Sequence, residues 1–242
     1  SQQQKLIINE RYEAWGSLAR KLAHEIKNPL TPIQLTIDRL KDKYSSELNK
    51  DNSDNFKENL KIINNQIKQI ENLVNEFSDF ARMPKPIFKK NDLILILSEN
   101  IKLLVQIDKN IEIKLNNNKK EIFLNCDREQ ISRVVFNLIK NAIESIQQKS
   151  EKNPNFNKKI LIEIFDNNDH IELNLIDNGI GFNKLENNIN EILNPYFTTK
   201  KNGTGLGLSI VNKIINDHNG ELEFLSILDG AKIKIIFKKN GN

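Results

Sequence analysis

Four short clusters combine residue types that chemistry requires at spacings a helix or a turn would respect. The first is His24-Glu25-Ile26-Lys27-Asn28-Pro29-Leu30. His24 stands two residues before the apolar Ile26 and is flanked by Arg20, Lys21, Lys27 and Asn28, so on a helix it faces solvent. A neutral imidazole is a competent nucleophile near neutral pH. A carboxylate that accepts the other ring N–H fixes the tautomer and stabilises the positive charge developing on attack, and Glu25 is the adjacent carboxylate. Asn28 follows one turn later on the face of His24. A lone histidine in such a place would be an ordinary exposed helical residue; the other three clusters are what lift it above that.

In the second cluster, Asn137-Leu138-Ile139-Lys140-Asn141-Ala142, two amides stand at i and i+4, on one helical face beside Val134, Val135 and Leu138. Amide oxygens are hard ligands suited to Mg2+, which keeps several waters and shares substrate phosphates. Two polar residues on a solvated face is the plain alternative. The third, Asp177-Asn178-Gly179-Ile180-Gly181, follows a strand ending at Ile176. A carboxylate there can accept a hydrogen bond from an exocyclic amine such as that of adenine, and the glycines let backbone approach a ring closely. Asp-Asn-Gly is also a common turn.

The fourth cluster, Gly203-Thr204-Gly205-Leu206-Gly207-Leu208-Ser209, opens a helix running to about His218. Unpaired N–H groups at a helix start, combined with glycine, make a phosphate cradle. It is not a Walker A loop, because no Gly-Lys-Ser/Thr follows, and it lacks the dinucleotide-binding spacing. Five of the nine glycines fall between Gly179 and Gly207. Turns needed only for folding would scatter them. The Asn-rich stretch from Phe182 to Lys200 reads as a mobile lid between the two glycine motifs.

These clusters need elements to hold them. Apolar residues at Ala19, Leu22, Ile26, Leu30, Ile33, Ile37, Leu40 and Tyr44 fall in steps of three and four, one stripe of an amphipathic helix with a kink expected at Pro29. A polar loop is expected from Ser45 to Asn55, followed by a second stripe at Phe56, Leu60, Ile63, Ile67, Ile70, Val74, Phe77 and Ala81. Together they form an antiparallel hairpin. One hairpin cannot cover both seams, so two pair into a four-helix bundle, and a homodimer follows.

Met83-Pro84-Lys85-Pro86 ends the second helix and marks a domain boundary, giving domains over 1–83 and 84–242. Beyond it, Leu93 to Gln106 predicts a helix capped by Asp92, and Asp127 with Gln130 opens another through Ile146. Strand alternation appears over 111–115, 121–125, 160–165, 170–176, 221–225 and 232–237. The fold class is α+β: the helical hairpin, then one mixed sheet with helices on one face.

Composition narrows the function. The 242 residues carry 38% hydrophobic and 28% charged side chains, as a folded soluble protein does, with a net charge of +4. The lysines are scattered beside Asn and Glu, so no basic stripe for nucleic acid exists. A single cysteine, Cys126, forms no internal disulfide and fits a reducing compartment. The longest aliphatic run, Leu93 to Leu97, is far short of the ~18 residues of a membrane span. The polar start, Ser1 to Lys5, reads like the middle of a helix, which predicts a piece of a longer protein whose input region precedes it.

Taken in order, the four clusters resemble the H, N, G1 and G2 boxes of bacterial two-component sensor histidine kinases, over about Ala14 to Phe237. Asn194-Pro195-Tyr196-Phe197-Thr198-Thr199-Lys200 resembles the F box of that family, and Leu30-Thr31-Pro32-Ile33-Gln34-Leu35 resembles its NtrY-like nitrogen-regulation branch. The resemblance implies a dimerisation and phospho-acceptor hairpin followed by an ATP-binding α/β sandwich of the histidine kinase/Hsp90 type. It implies His24 as phospho-acceptor, Glu25 as base, and Asn28 as a helper in dephosphorylating a partner. Asn141 would hold Mg2+, supported by Asn137, with Lys140 near phosphate. Asp177, with Gly179 and Gly181, would read adenine. Gly203, Thr204, Gly205, Leu206, Gly207 and Leu208 would line the triphosphate of ATP, and Phe197 would help close the lid. The partner would be the receiver domain of a response regulator, and the chain the cytoplasmic portion of a sensor attached to the membrane only through missing N-terminal regions.

Three other readings share these residues. The nucleotide fold also occurs in Hsp90-, MutL- and gyrase-like ATPases and in some serine kinases. Those ATPases carry a water-activating glutamate four residues before the metal-binding Asn, where this chain has Asn137, an amide that cannot accept a proton. A degenerate kinase serving as a dimeric scaffold is disfavoured by intact motifs. Net phosphatase activity toward the partner is compatible with Asn28.

Overall fold

The computed structural model describes residues 2–44, 50–81, 83–153, 155–182, 192–194, 197–198 and 203–239. These form two compact units: one holds the chain to Pro84 together with a segment ending at Leu206, the other the remainder from Lys85 onward. Each is built from different periodicities.

The first unit is a helical hairpin, α1 (Gln2–Tyr44) and α2 (Lys50–Ala81). The helix α1 runs through both Pro29 and Pro32. Lys41 and Lys43 in its last turn complement the negative end of the helix dipole. The contact between the helices is a repeat of seven: Ala23, Leu30 and Ile37 on α1 are buried with Ser53, Leu60, Ile67 and Val74 on α2. Each Leu or Ile so enclosed contributes about 1.5–3 kcal/mol relative to an exposed one.

As expected of one hairpin alone, part of each apolar stripe stays uncovered: Leu22, Ile26, Ile33 and Leu40 remain 38–45% exposed, as do Ile63 and Ile70 on α2. A single neighbour covers only a narrow arc of a helix, and the sequence stripe is wider than that arc. One expectation changes: the predicted Ser45–Asn55 loop is too long. Helix α2 already begins at Lys50, because Asp, Asn and Ser cluster in first turns as well as in loops, while residues 45–49 lie outside those described.

In the second unit a five-stranded sheet runs in the order β2-β4-β5-β7-β6, with β2 (Glu112–Asn117), β4 (Lys159–Asp166), β5 (His170–Asp177), β6 (Gly220–Ile227) and β7 (Gly230–Lys238). Only the β2–β4 pair is parallel. The strand over Phe123–Cys126, β3, does not join it; it pairs antiparallel with β1 (Lys89–Asp92), which alternation did not reveal. Ile160, Ile162 and Ile164 of β4, Leu173 and Leu175 of β5, and Ile233, Ile235 and Phe237 of β7 bury one face. The helices α3 (Leu93–Leu104), α4 (Arg128–Lys152) and α5 (Gly207–Asp217) supply the other half of that core through Ile96, Leu97, Leu138, Ile139, Ile143, Ile210 and Ile214.

Caps fix where these helices start. The Asp92 carboxylate accepts from the Ile94 N–H, and that of Asp127 accepts from the Gln130 N–H at 3.0 Å. The amide of Asp127 in turn donates to Nε2 of His218 at 3.0 Å, which leaves Nδ1 as the N–H facing the Ile214 carbonyl at 2.8 Å. This imidazole ties the start of α4 to the end of α5. Cys126 is fully buried and its thiol is pushed up to about 11 by that burial, so it is an inert packing residue.

Candidate active site

His24, Glu25 and Asn28 all lie exposed on the described part of α1, as the position of Ile26 required. The buried Ala23 next to His24 points toward α2, which turns the imidazole outward. The local sequence therefore presents a nucleophile to solvent without enclosing it.

The other site residues converge on α4. Asn137 and Asn141 are half-buried one turn apart, and both amides face the start of α5. A Cβ placed on Gly207 would lie 3.8 Å from the Asn137 Oδ1 and 3.9 Å from the Asn141 Nδ2. Gly207 thus brings its backbone up to two amides at a helix N-terminus, a place that suits anionic oxygens. Lys140 is exposed and stands 4.0 Å from Glu144, a weak surface pair. The atoms nearest Gly207 are the Asn137 oxygen and the Asn141 nitrogen; an amide oxygen is a ligand suited to Mg2+ shared with phosphate.

Asp177 ends β5 with Ile160 of β4 on one side and Ala231 of β7 on the other, and only 4% of it is exposed. Its Oδ1 accepts the Gly179 N–H at 2.8 Å. Burial pushes its carboxyl up to about 6, against the opposing pull of that N–H and of the Lys149 charge. Asn178 is structural: its side chain accepts the Lys159 N–H at 2.9 Å and donates to the Asn157 carbonyl at 2.7 Å.

The two glycines of this turn have tertiary reasons. A Cβ on Gly179 would fall 2.2 Å from the Ser145 Oγ and 2.8 Å from the Ser145 carbonyl carbon. Gly181 has a φ of +68°, in the left-handed region, and lies against Gly230 of the β6–β7 turn. Sequence reading missed Ser145, Lys149, Asp229 and Gly230. The first two were within reach, since 137, 141, 145 and 149 continue one spacing of four.

Gly203, Thr204, Gly205 and Leu206 group with the helical unit, where the Thr204 hydroxyl donates to the Glu76 carboxylate. Gly205 has a φ of +69° and Leu206 is buried. Leu208 is half-buried in the first turn of α5. Phe197 is half-buried and donates its N–H to the Asn194 carbonyl at 3.2 Å. Most of the expected lid, residues 183–191, and Pro195, Tyr196, Thr199 and Lys200 of the F-box segment lie outside the described residues.

A helical hairpin with an exposed histidine, followed by an α/β unit with its glycine motifs, points to a class, and comparison with known proteins agrees. Residues 14–86 match the His Kinase A (phospho-acceptor) domain, and residues 126–241 match the histidine kinase-, DNA gyrase B- and HSP90-like ATPase domain. The chain thus carries, in order, the phospho-acceptor and ATPase domain types found in histidine kinases. Among these, the similarity is to the NtrY-like branch. The chain is 38% identical over 237 residues to an NtrY-like sensor histidine kinase of Rickettsia felis, with 98% of this chain covered. It is 35% identical over 241 residues to the nitrogen regulation protein NtrY of Azorhizobium caulinodans, again over 98% of this chain. It spans 38% and 30% of the lengths of those two relatives. The crystal structure of histidine kinase ThkA in complex with the response regulator TrrA superposes with a TM-score of 0.65 at 26% identity, covering 96% of this chain and 64% of that one.

Proposed function

We propose that the chain transfers the γ-phosphoryl group of ATP to the His24 imidazole and passes it on to an aspartate of a response regulator. One observation carries the reading. The amides that face Gly207 include Asn137, one turn before Asn141, where a water-activating carboxylate would have to stand. An amide accepts no proton, so the nucleophile comes from elsewhere, and the exposed His24 of α1 supplies it. The Hsp90- and gyrase-like ATPase reading loses its base and leaves the hairpin without a purpose.

The residues divide the work. Asn141, with Asn137, would hold Mg2+ at the phosphates, where the ion supplies charge neutralisation. Asp177 reads the adenine amine, Gly179 and Gly181 let the ring approach, and the Gly203–Leu208 motif lines the triphosphate. Lys140 lies near phosphate, and Phe197 helps close the lid. Glu25 orients the His24 ring and accepts its proton, and Asn28 serves dephosphorylation of the regulator. Catalysis is then positioning plus charge neutralisation of the transferred group.

The exposed half of each apolar stripe supports a homodimer closed as a four-helix bundle. The regulator docks on the His24 face. No helix among the described residues is long and apolar enough to cross a membrane. The much greater length of the relatives supports reading this chain as the cytoplasmic part, residues 1–83 and 84–242 being its two domains, of a membrane-anchored sensor.

Incubated with Mg-ATP, the purified chain acquires one acid-labile, alkali-stable phosphate at His24. The Asn141→Ala variant keeps its fold and acquires none. Phosphate mapped to serine or threonine would replace this reading with the serine-kinase one.

A further inference from the structure

The amide pair of α4 is the first half of a longer line. Asn137, Asn141, Ser145 and Lys149 follow one another at intervals of four, so they stack along one helical face over twelve residues, about 18 Å at ~1.5 Å per residue. The first two face Gly207 at the phosphate end. The last two face the turn that holds Asp177. Ser145 accepts the Ile180 N–H on its Oγ at 3.0 Å. Lys149 donates from Nζ to the Asn178 carbonyl at 2.8 Å and forms an ion pair with Asp229 of the β6–β7 turn. Its ammonium also stands 4.6 Å from the centre of the Phe156 ring.

Lys149 bridges two turns whose backbones approach closely. A Cβ on Gly230, whose φ is +120°, would lie 1.8 Å from the Asp177 carbonyl oxygen, and one on Gly181 would lie 2.4 Å from the Gly230 carbonyl oxygen. The pairing of Asp177 with Ala231 sets the register of the strands that lead into these turns, and the Lys149 ammonium grips both turns beyond it. A charge-assisted hydrogen bond of this kind holds a carbonyl more firmly than a neutral one. The side chain of Lys149 is 26% exposed.

We propose that Lys149 is a positioning residue for nucleobase recognition: by clamping the Asn178 carbonyl to Asp229, it holds the Asp177 carboxylate where the exocyclic amine of adenine meets it. The inference rests on the proposal that Asp177 reads the base. Its consequence is selectivity for a purine bearing an amine over one bearing a carbonyl, set by a residue that touches neither ring nor phosphate.

The test is nucleotide binding and autophosphorylation by the full chain, with ATP and GTP measured in parallel for wild type, Lys149→Met, Lys149→Arg, Asp229→Asn and Asp177→Asn. Lys149→Met weakens ATP binding about tenfold while GTP binding stays within about twofold, the loss expected of one charge-assisted contact. The effect falls on KM for ATP with little change in kcat, as for an interaction made equally in ground and transition states. Lys149→Arg recovers most of the affinity, and Asp229→Asn shifts it in the direction of Lys149→Met by less, which also tests the idea should Lys149→Met fail to fold. Equal weakening toward both nucleotides, or wild-type ATP affinity in both Lys149→Met and Asp229→Asn, overturns the proposal. If instead Asp177→Asn binds ATP as wild type does, the underlying assignment of Asp177 fails and Lys149 has no base-reading group to position.

Discussion

At the scale of single residues, the site sets a buried carboxylate against the stability of the fold. The carboxyl of Asp177 is raised to about 6 in the folded chain from an ordinary value of 3.8. The folded state thus holds its proton more tightly than the unfolded state, and the associated stability is present below pH ~3.8 and lost as pH rises through ~6. At pH 7.5 the buried charge costs about 3 kcal/mol. Asp177→Asn is expected to raise the melting temperature at pH 7.5 while weakening ATP binding, and to have no stabilising effect at pH 4. A thermal melt at both pH values checks this. If Asp177 reads adenine as proposed, ATP affinity should fall as pH drops below about 6, because its protonated carboxyl would no longer accept from the adenine amine; titrations across pH 5–8 should show that slope, and Asp177→Asn should flatten it.

Glycines separate at the scale of elements. Gly230 and Gly179 are demanded by packing, for a methyl at either would meet backbone atoms well inside contact distance. Gly230→Ala and Gly179→Ala should each cost more than about 2 kcal/mol in chemical denaturation, Gly230→Ala the more because its φ of +120° is also strained for an L residue. Gly207 differs, since a methyl there makes only ordinary contacts at 3.8 and 3.9 Å. It opens α5, where Ala is a better helix former than Gly. Gly207→Ala is therefore expected to fold with equal or slightly higher stability yet to bind ATP poorly, because the methyl occupies the space before the Asn137 and Asn141 amides. Calorimetric binding and a denaturant melt on the same sample separate these outcomes.

On the scale of the whole molecule, the hairpin leaves Ile26, Ile33, Leu40, Ile63 and Ile70 uncovered beside a seam that is already closed. A second hairpin would bury them. If the proposed bundle forms, wild type should sediment as a dimer and the double variant Ile33→Asp/Ile70→Asp as a monomer. Its nucleotide affinity should match wild type, since neither Ile33 nor Ile70 is among the residues assigned to the nucleotide. An unaltered mass in light scattering would remove the bundle from the proposal.

Much of this was legible before any coordinates. Local periodicity announced both long helices, and Asp92 and Asp127 marked two helix starts, because capping is settled within three or four residues. The exposure of His24 and the pairing of Asn137 with Asn141 needed nothing beyond a helix of 3.6 residues per turn, and the α+β class only the strand alternation added to it. Short elements were less readable: β1 hides in Lys89-Lys90-Asn91-Asp92, a run with no apolar alternation that becomes a strand only because β3 pairs with it. The apolar stripe of α1 likewise looked uniform, since residue type does not record which side of a helix finds a neighbour. Amino-acid order alone thus determined the element types, their sequence and the chemical groups on offer. The tertiary structure decided which seam is closed, why Gly179 and Gly230 admit no side chain, and that Lys149 reaches both Asn178 and Asp229. Those contacts join residues 29 and 80 positions apart, and at such separations only the packed sheet, not local spacing, brings one group within bonding distance of another.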